Sequence, residues 1–320
     1  MVGTAATDAV SPPTLIGTLL LEGAGGEPVD LGRTLASHGV ATLPPQLVDP
    51  AAGTLQTTLS LGEQDVRTIR IRPDSPGHVA VEAIGDGMPP GAGKSLLATA
   101  RKLLNLDQDL SRCYALAATD PALSWATSGA GRMLRSSTVF EDVIKTICTT
   151  NCSWSATTRM ITRIVTDLGE AAPDGGRAFP GPAMLAEAGE SFYRDRARAG
   201  YRGSYLLRLA AGVASGHLDL EQLRDPDLPD AEVSRRLLAL PGVGPYAAAH
   251  VMLISLGRYR QLILDSWTRP TYAKLTGRTA SDRAIERRFR AFGDYAGLAF
   301  WLFLTRDWID GSDPVDASGR

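Results

Sequence analysis

The 320-residue chain is 44% hydrophobic and 21% charged with a formal net charge of -2, a balance typical of a soluble globular protein large enough for two domains. No apolar run reaches the roughly 18 residues of a membrane-spanning helix, and the start "MVGTAATDAVSPP" lacks the basic and apolar regions of a secretion signal, so a cytoplasmic protein is expected. Its three cysteines, Cys113, Cys148 and Cys152, exclude a closed disulfide framework, and the close pair has no second Cys or His pair to complete a zinc site.

Residues 1–13 are expected to form a disordered N-terminus. From Thr14 to Gly85 apolar and polar residues alternate and Thr, Val and Ile are abundant. The segments "TLIGTLLLEG", "TLQTTLSLG", "VRTIRIRP" and "HVAVEAIG" are therefore predicted strands of an antiparallel sheet. After the first of them, "DLGRTLASHG" reads as a short helix with Asp30 at its N-cap. A sheet domain over residues 14–93 follows. Its end, "GDGMPPGAGKSLL", has the Gly-Lys-Ser of a phosphate-binding P-loop, but that motif needs glycine where Met88 stands, and Gly87 is one place too early. No parallel βαβ series surrounds the stretch, so it reads as a linker and nucleotide binding is not expected.

From Lys94 helical periodicity replaces alternation, defining a helical domain over residues 94–309 ahead of a tail, 310–320, expected to be disordered. "STVFEDVIKTICTT" carries a capping box in Thr138 and Glu141, "SYLLRLAAGVASG" runs from Ser204 to Gly216, and "DAEVSRRLLAL" starts at Asp230. "PYAAAHVMLISLG" has proline at its first position and Gly257 past its end, "SDRAIERRFRAFG" runs from Ser281 to Gly293, and "YAGLAFWLFLTRDW" is the last helix. The expected fold class is α+β, an N-terminal antiparallel sheet followed by an all-α domain.

Charge is uneven: residues 1–88 hold 10 acids against 4 Lys or Arg, whereas residues 233–290 hold 3 against 11. Such a basic region is either a solvated face or the footprint of a polyanion. Within it, "LLALPGVGPYAAAHVMLISLG", from Leu237 to Gly257, places a proline and two glycines between two apolar helical patterns. Glycine lets a ligand approach the backbone closely, and the second helix would aim its unpaired N-terminal N–H groups at an anion. The turn resembles the helix-hairpin-helix motif, in which that anion is a DNA phosphate; plain helix–turn–helix packing is the alternative. Eight residues after Gly257 comes Asp265, in the otherwise apolar "LILDSW", where a cap for the next helix is its simplest role. Hairpin, helix and aspartate in this order resemble the helix-hairpin-helix DNA glycosylase superfamily. "ICTTNCS" and "AGYRGSYLLRLA" are similar to segments of its 8-oxoguanine branch, and the N-terminal sheet is shared by that branch and the 3-methyladenine enzymes. The resemblance runs from Thr14 to Trp308.

The resemblance implies Asp265 as the catalytic carboxylate and a DNA-phosphate site at Leu240, Gly242, Val243, Gly244 and Pro245. Asn151, Tyr201 and Arg202 would fill the space left by an extruded nucleotide or contact the opposite strand. Backbone carbonyls of Leu238, Leu240 and Val243 would hold a monovalent cation, and no other cofactor is implied. With no cysteine after Cys152, the four-cysteine iron–sulfur cluster of some relatives is excluded. Two departures narrow the activity. Tyr246 stands where bifunctional members carry a Schiff-base lysine, and a phenol forms no imine. Phe300 and Leu304 stand where the 8-oxoguanine enzymes carry a glutamine and a phenylalanine. The expectation is a monomeric, monofunctional glycosylase of base excision repair that removes an alkylated purine from double-stranded DNA. Tyr246, His250, Tyr295, Trp154 and Trp301 would line its pocket, since an electron-deficient base stacks on aromatic faces. The alternatives are a bifunctional 8-oxoguanine-type glycosylase/lyase using Lys145 or Lys274 from an unusual position, and a non-catalytic DNA-binding protein on the same scaffold.

Overall fold

The computed structural model describes residues 12–62, 65–87 and 91–308. Both ends expected to be disordered lie outside the described residues, apart from Pro12 and Pro13, as does Met88 in the P-loop-like stretch. Strands β1 (Thr14–Leu20), β2 (Leu47–Asp49), β3 (Thr54–Ser60), β4 (Val66–Pro73) and β5 (His78–Ile84) form one antiparallel sheet in the order β1-β5-β4-β3-β2. Four of these are the predicted strands. The fifth, β2, has three residues, too few for alternation to register in a sequence. Alternate residues of β3, β4 and β5, among them Leu55, Ile69, Ile71, Val79 and Val81, bury one face of the sheet against Leu96, Ala100 and Leu103.

Those last three belong to α2 (Ala92–Leu103), which follows the short α1 (Leu31–Leu35) in the chain. Asp30 caps α1 as expected, its Oδ1 accepting the Arg33 N–H at 2.9 Å. Next come α3 (Ser111–Ala117), α4 (Val139–Thr149), α5 (Trp154–Leu168), α6 (Pro182–Glu187), the single turn α7 (Gly189–Ser191) and α8 (Arg202–Ala214). The set closes with α9 (Asp230–Leu238), α10 (Pro245–Ile254), α11 (Thr268–Thr276), α12 (Asp282–Phe289) and α13 (Ala296–Thr305). No helix among the described residues is long and apolar enough to cross a membrane.

Helices apolar on all sides are buried on all sides. Every residue of α13 and every residue of α10 from Ala247 onward is buried, and with α4 they form the helical core. At the start of α4 the Thr138 hydroxyl accepts the Glu141 N–H at 3.1 Å, half of the expected capping box. The reciprocal half is replaced: Glu141 accepts from the Ser137 hydroxyl at 2.8 Å and pairs with Lys145 at 2.8 Å, both side chains almost wholly buried.

Long-range polar contacts fasten the segment around α1 to the helices. Arg132 pairs with Glu27 inside the protein, His38 Nε2 meets the Leu134 carbonyl at 2.8 Å, and Trp301 Nε1 donates to the Ser37 carbonyl at 2.8 Å. These bonds bring Gly39 and Val40, from the sheet side of the chain, to the wall of a cleft formed mainly by helix ends.

Candidate active site

Between α9 and α10 the chain makes a tight turn in which the Val243 N–H donates to the Leu240 carbonyl at 3.2 Å. Its two glycines differ in what they are for. Gly242 has φ +79°, and a Cβ there would lie 2.8 Å from Cδ2 of Tyr205, so the fold itself requires glycine. Gly244 has an ordinary φ of -98°, is exposed, and would place a Cβ in open space. Nothing among the described residues requires glycine at this second position. Pro245 opens α10, and no hydrogen bond among the described residues uses the N–H groups of Tyr246 or Ala247. Leu240 and Val243 are buried, so they present backbone only, while Leu238 is exposed. The carbonyls of Leu238 and Val243 accept no backbone hydrogen bond from the described residues, and that of Leu240 retains its second lone pair, a donor set that fits a monovalent cation.

Beside the turn opens a cleft of about 1150 Å³. Asp265 lines it and is held rigidly: its Oδ1 accepts the N–H groups of Trp267 at 2.9 Å and Thr268 at 2.7 Å, and its own N–H donates to the buried Thr268 hydroxyl at 2.8 Å. It thus holds the turn that leads into α11, two residues before that helix's N-cap Trp267, and its Oδ2 makes no hydrogen bond to the described residues. Tyr246 lines the cleft with its hydroxyl 3.4 Å from the Thr149 hydroxyl, which itself donates to the Thr146 carbonyl at 2.7 Å. The phenol must therefore donate to Thr149. Burial pushes its pKa up to about 12, with the nearby Asp265 charge acting in the same direction.

One turn along α10, the His250 ring lies 5.6 Å from that of Tyr246, and its pKa falls to about 3 through burial and, secondarily, through His38. Trp154 and Trp301 line the cleft as expected. Trp301 forms a cluster with Trp267 and Trp308, at ring distances of 5.6 and 5.9 Å, and those two also line the cleft. Neither was expected. Trp267 stands two residues past Asp265, a signal available in the sequence. Trp308, Gly39 and Val40 come from distant parts of the chain, where no local pattern could have singled them out.

Three expectations are corrected. Tyr295 does not line the cleft: it stacks on Tyr259 at 6.2 Å, at the N-terminal end of α13, whereas the cleft meets that helix at Trp301, roughly 9 Å further along at 1.5 Å per residue. Arg202 does not reach out toward a strand. It is buried, donates to the Thr150 carbonyl and lies 4.6 Å from the Tyr201 ring, bracing the loop that carries Asn151. Lys145, the rival nucleophile, is buried in its pair with Glu141, and exposed Lys274 is on α11; neither lines the cleft. Asn151 and Tyr201 do line it, joined by a 3.2 Å bond, with Asn151 at φ +47° and Tyr201 54% exposed. The cysteines are free, Cys113 and Cys148 buried and Cys152 half-buried at the cleft. Among the described residues no group of three or more His, Cys, Asp or Glu could hold a metal ion.

No family model matches the chain. Over 188 residues it is 29% identical to a "Probable N-glycosylase/DNA lyase" of Methanothermobacter thermautotrophicus, covering 51% of this chain and 59% of that protein. In fold it matches the 3-methyladenine DNA glycosylase from Archaeoglobus fulgidus with a TM-score of 0.72 and 20% identity, over 92% of this chain and 100% of that one. The 8-oxoguanine glycosylase/lyase of Clostridium acetobutylicum, solved with double-stranded DNA, gives 0.67 and 21%, over 89% and 93%. The curated relatives thus carry the names of N-glycosylase/DNA lyases and of a putative 3-methyladenine DNA glycosylase, the neighbours in fold are 3-methyladenine and 8-oxoguanine glycosylases, and the chain has their fold. It spans about half the length of the curated relatives it matches.

Proposed function

We propose that this protein is a monofunctional DNA N-glycosylase of base excision repair, acting as a monomer on double-stranded DNA, that extrudes a damaged purine, chiefly an alkylated one, and removes it by hydrolysis. The observation that carries this is Asp265, a carboxylate fixed by two backbone N–H groups in a cleft walled by tryptophans. It is also the one formally charged residue lining the cleft among those described, because burial keeps Tyr246 and His250 neutral and no Lys or Arg takes part. A cationic alkylated base suits a pocket of aromatic faces and one negative charge.

The open backbone at Gly244 and the unbonded amides of Tyr246 and Ala247 offer a phosphate a neutral, close approach. A monovalent cation held by the carbonyls of Leu238, Leu240 and Val243 would add positive charge there. Asn151 and Tyr201 would fill the space left in the duplex, with Arg202 bracing their loop. As the N-glycosidic bond breaks, Asp265 stabilises the developing positive charge on the sugar, and water then adds to it. With no lysine among the described residues that line the cleft, none is placed to form an imine with the sugar, which separates this reading from a glycosylase/lyase.

Incubation with duplexes that each carry one defined lesion tests the proposal. Release of an alkylated purine is expected, leaving an abasic site that breaks only after alkali. Spontaneous strand cleavage, or an adduct trapped by borohydride, overturns the monofunctional reading. Failure to release any base overturns the glycosylase reading.

A further inference from the structure

His250 is only 5% exposed, lines the cleft, and has neither ring nitrogen hydrogen-bonded to any of the described residues. That is unusual, because a buried polar group left unpaired costs about 1–3 kcal/mol. The polar neighbours do not relieve it. His38 meets it edge-on with ring centroids 6.2 Å apart, keeps its Nε2 on the Leu134 carbonyl and leaves its own Nδ1 unbonded, so the two rings exchange no hydrogen bond. The Tyr246 hydroxyl is engaged with Thr149 and the Trp301 indole N–H with Ser37. The remaining side is the cleft.

We propose that His250 hydrogen-bonds the polar edge of the extruded purine, and so selects bases that carry a donor or acceptor at that depth of the cleft. This rests on the glycosylase function proposed above and adds to it the residue that reads the base. Held neutral by burial, the imidazole offers one N–H and one lone pair without a charge. An imidazolium would repel a cationic alkylated purine, whereas the neutral ring does not. Recognition is then divided: the tryptophans meet the faces of the base, Asp265 the sugar, and His250 the edge.

The test uses the full chain with duplexes carrying either a single 7-methylguanine or a tetrahydrofuran abasic-site analogue, which leaves the base pocket empty. His250→Leu should lower single-turnover excision of 7-methylguanine by roughly 10- to 100-fold, the range expected when one partner of a buried hydrogen bond is removed. Its binding to the abasic duplex should stay near the wild-type value, and His250→Gln, which keeps a donor and an acceptor, should recover much of the excision. Undiminished excision by His250→Leu overturns the proposal. So does a joint fall in excision, abasic binding and melting temperature that Gln does not rescue. Should wild type excise no base at all, the glycosylase reading fails separately, and the ring-nitrogen NMR shifts of His250 on adding free 7-methylguanine decide this one: a hydrogen-bond shift supports it and unchanged shifts overturn it.

Discussion

Asp265 combines two roles that substitution can separate. Asn accepts the same bonds from Trp267 and Thr268 and forms such turns as Asp does, so Asp265→Asn should fold with an unchanged melting temperature. It lacks the charge, which matters as the sugar becomes cationic, so single-turnover excision should fall by about 10²-fold or more while duplex binding changes only a few fold. A variant with full excision would remove Asp265 from the mechanism. Tyr246 permits a second separation. Its hydroxyl is occupied by a long 3.4 Å bond to Thr149, so Tyr246→Phe should keep excision within a few fold if the ring serves by stacking. Tyr246→Lys, placing an amine beside Asp265, should gain a small borohydride-trappable adduct absent from wild type. Loss of most excision in the Phe variant would instead assign the hydroxyl a part in placing base or water.

At the scale of the element, the hairpin shows two glycines under different constraints. Gly244→Val should leave folding stability within about 0.5 kcal/mol, since the added side chain meets open space. It should weaken binding to all duplexes alike, because phosphate contacts position a protein without reading sequence. Gly242→Val should behave oppositely, costing on the order of 1–3 kcal/mol through its positive φ and the clash with Tyr205. Melting curves and a salt series on damaged and undamaged duplexes check both, and a lesion-selective loss in Gly244→Val would contradict the phosphate assignment. This element was also the most legible in the sequence, because turn glycines, an N1 proline and an aspartate that bonds its own turn act within a few residues of themselves. Trp308 and the His38–Val40 segment were not, since they converge on the cleft only after α13 and the α1 region have packed, whereas Trp267, two residues past Asp265, lay within reach of a local reading. Tyr295 was misplaced for the same reason: position along a buried helix says which residues are inside, but the neighbouring elements decide which of them reach the cleft. Arg202 was misplaced likewise, because its burial against the Thr150 carbonyl depends on how α8 packs on α4.

At the scale of the whole molecule, His38 couples the sheet side of the chain to the cleft and makes stability depend on pH. Its pKa is lowered from 6.5 to about 4 by burial, partly offset by the Leu134 carbonyl and reinforced by Lys145, and that of His250 falls from 6.5 to about 3. In the folded protein both rings therefore stay neutral to well below pH 5, whereas in the unfolded chain both take up protons near pH 6.5. Between those limits the unfolded state binds more protons, so stability falls as pH drops below 6.5, by about 1.4 kcal/mol per pH unit for each histidine. Above pH 6.5 neither ring contributes to the slope. The loss accumulated by pH 4.5 is several kcal/mol, on the order of the total stability of a small domain, about 5–15 kcal/mol. The double substitution His38→Gln with His250→Gln removes both titrations, while surface carboxylates such as Glu232 still titrate and cancel in the comparison. Urea midpoints measured from pH 7.5 to 4.5 should therefore fall steeply below 6.5 for wild type and more gently for the double variant, so that the two curves converge or cross in acid. Parallel curves would mean that the two histidines are not held neutral by burial, and would take with them the neutral His250 that lets a cationic base enter a cleft whose one formal charge is that of Asp265.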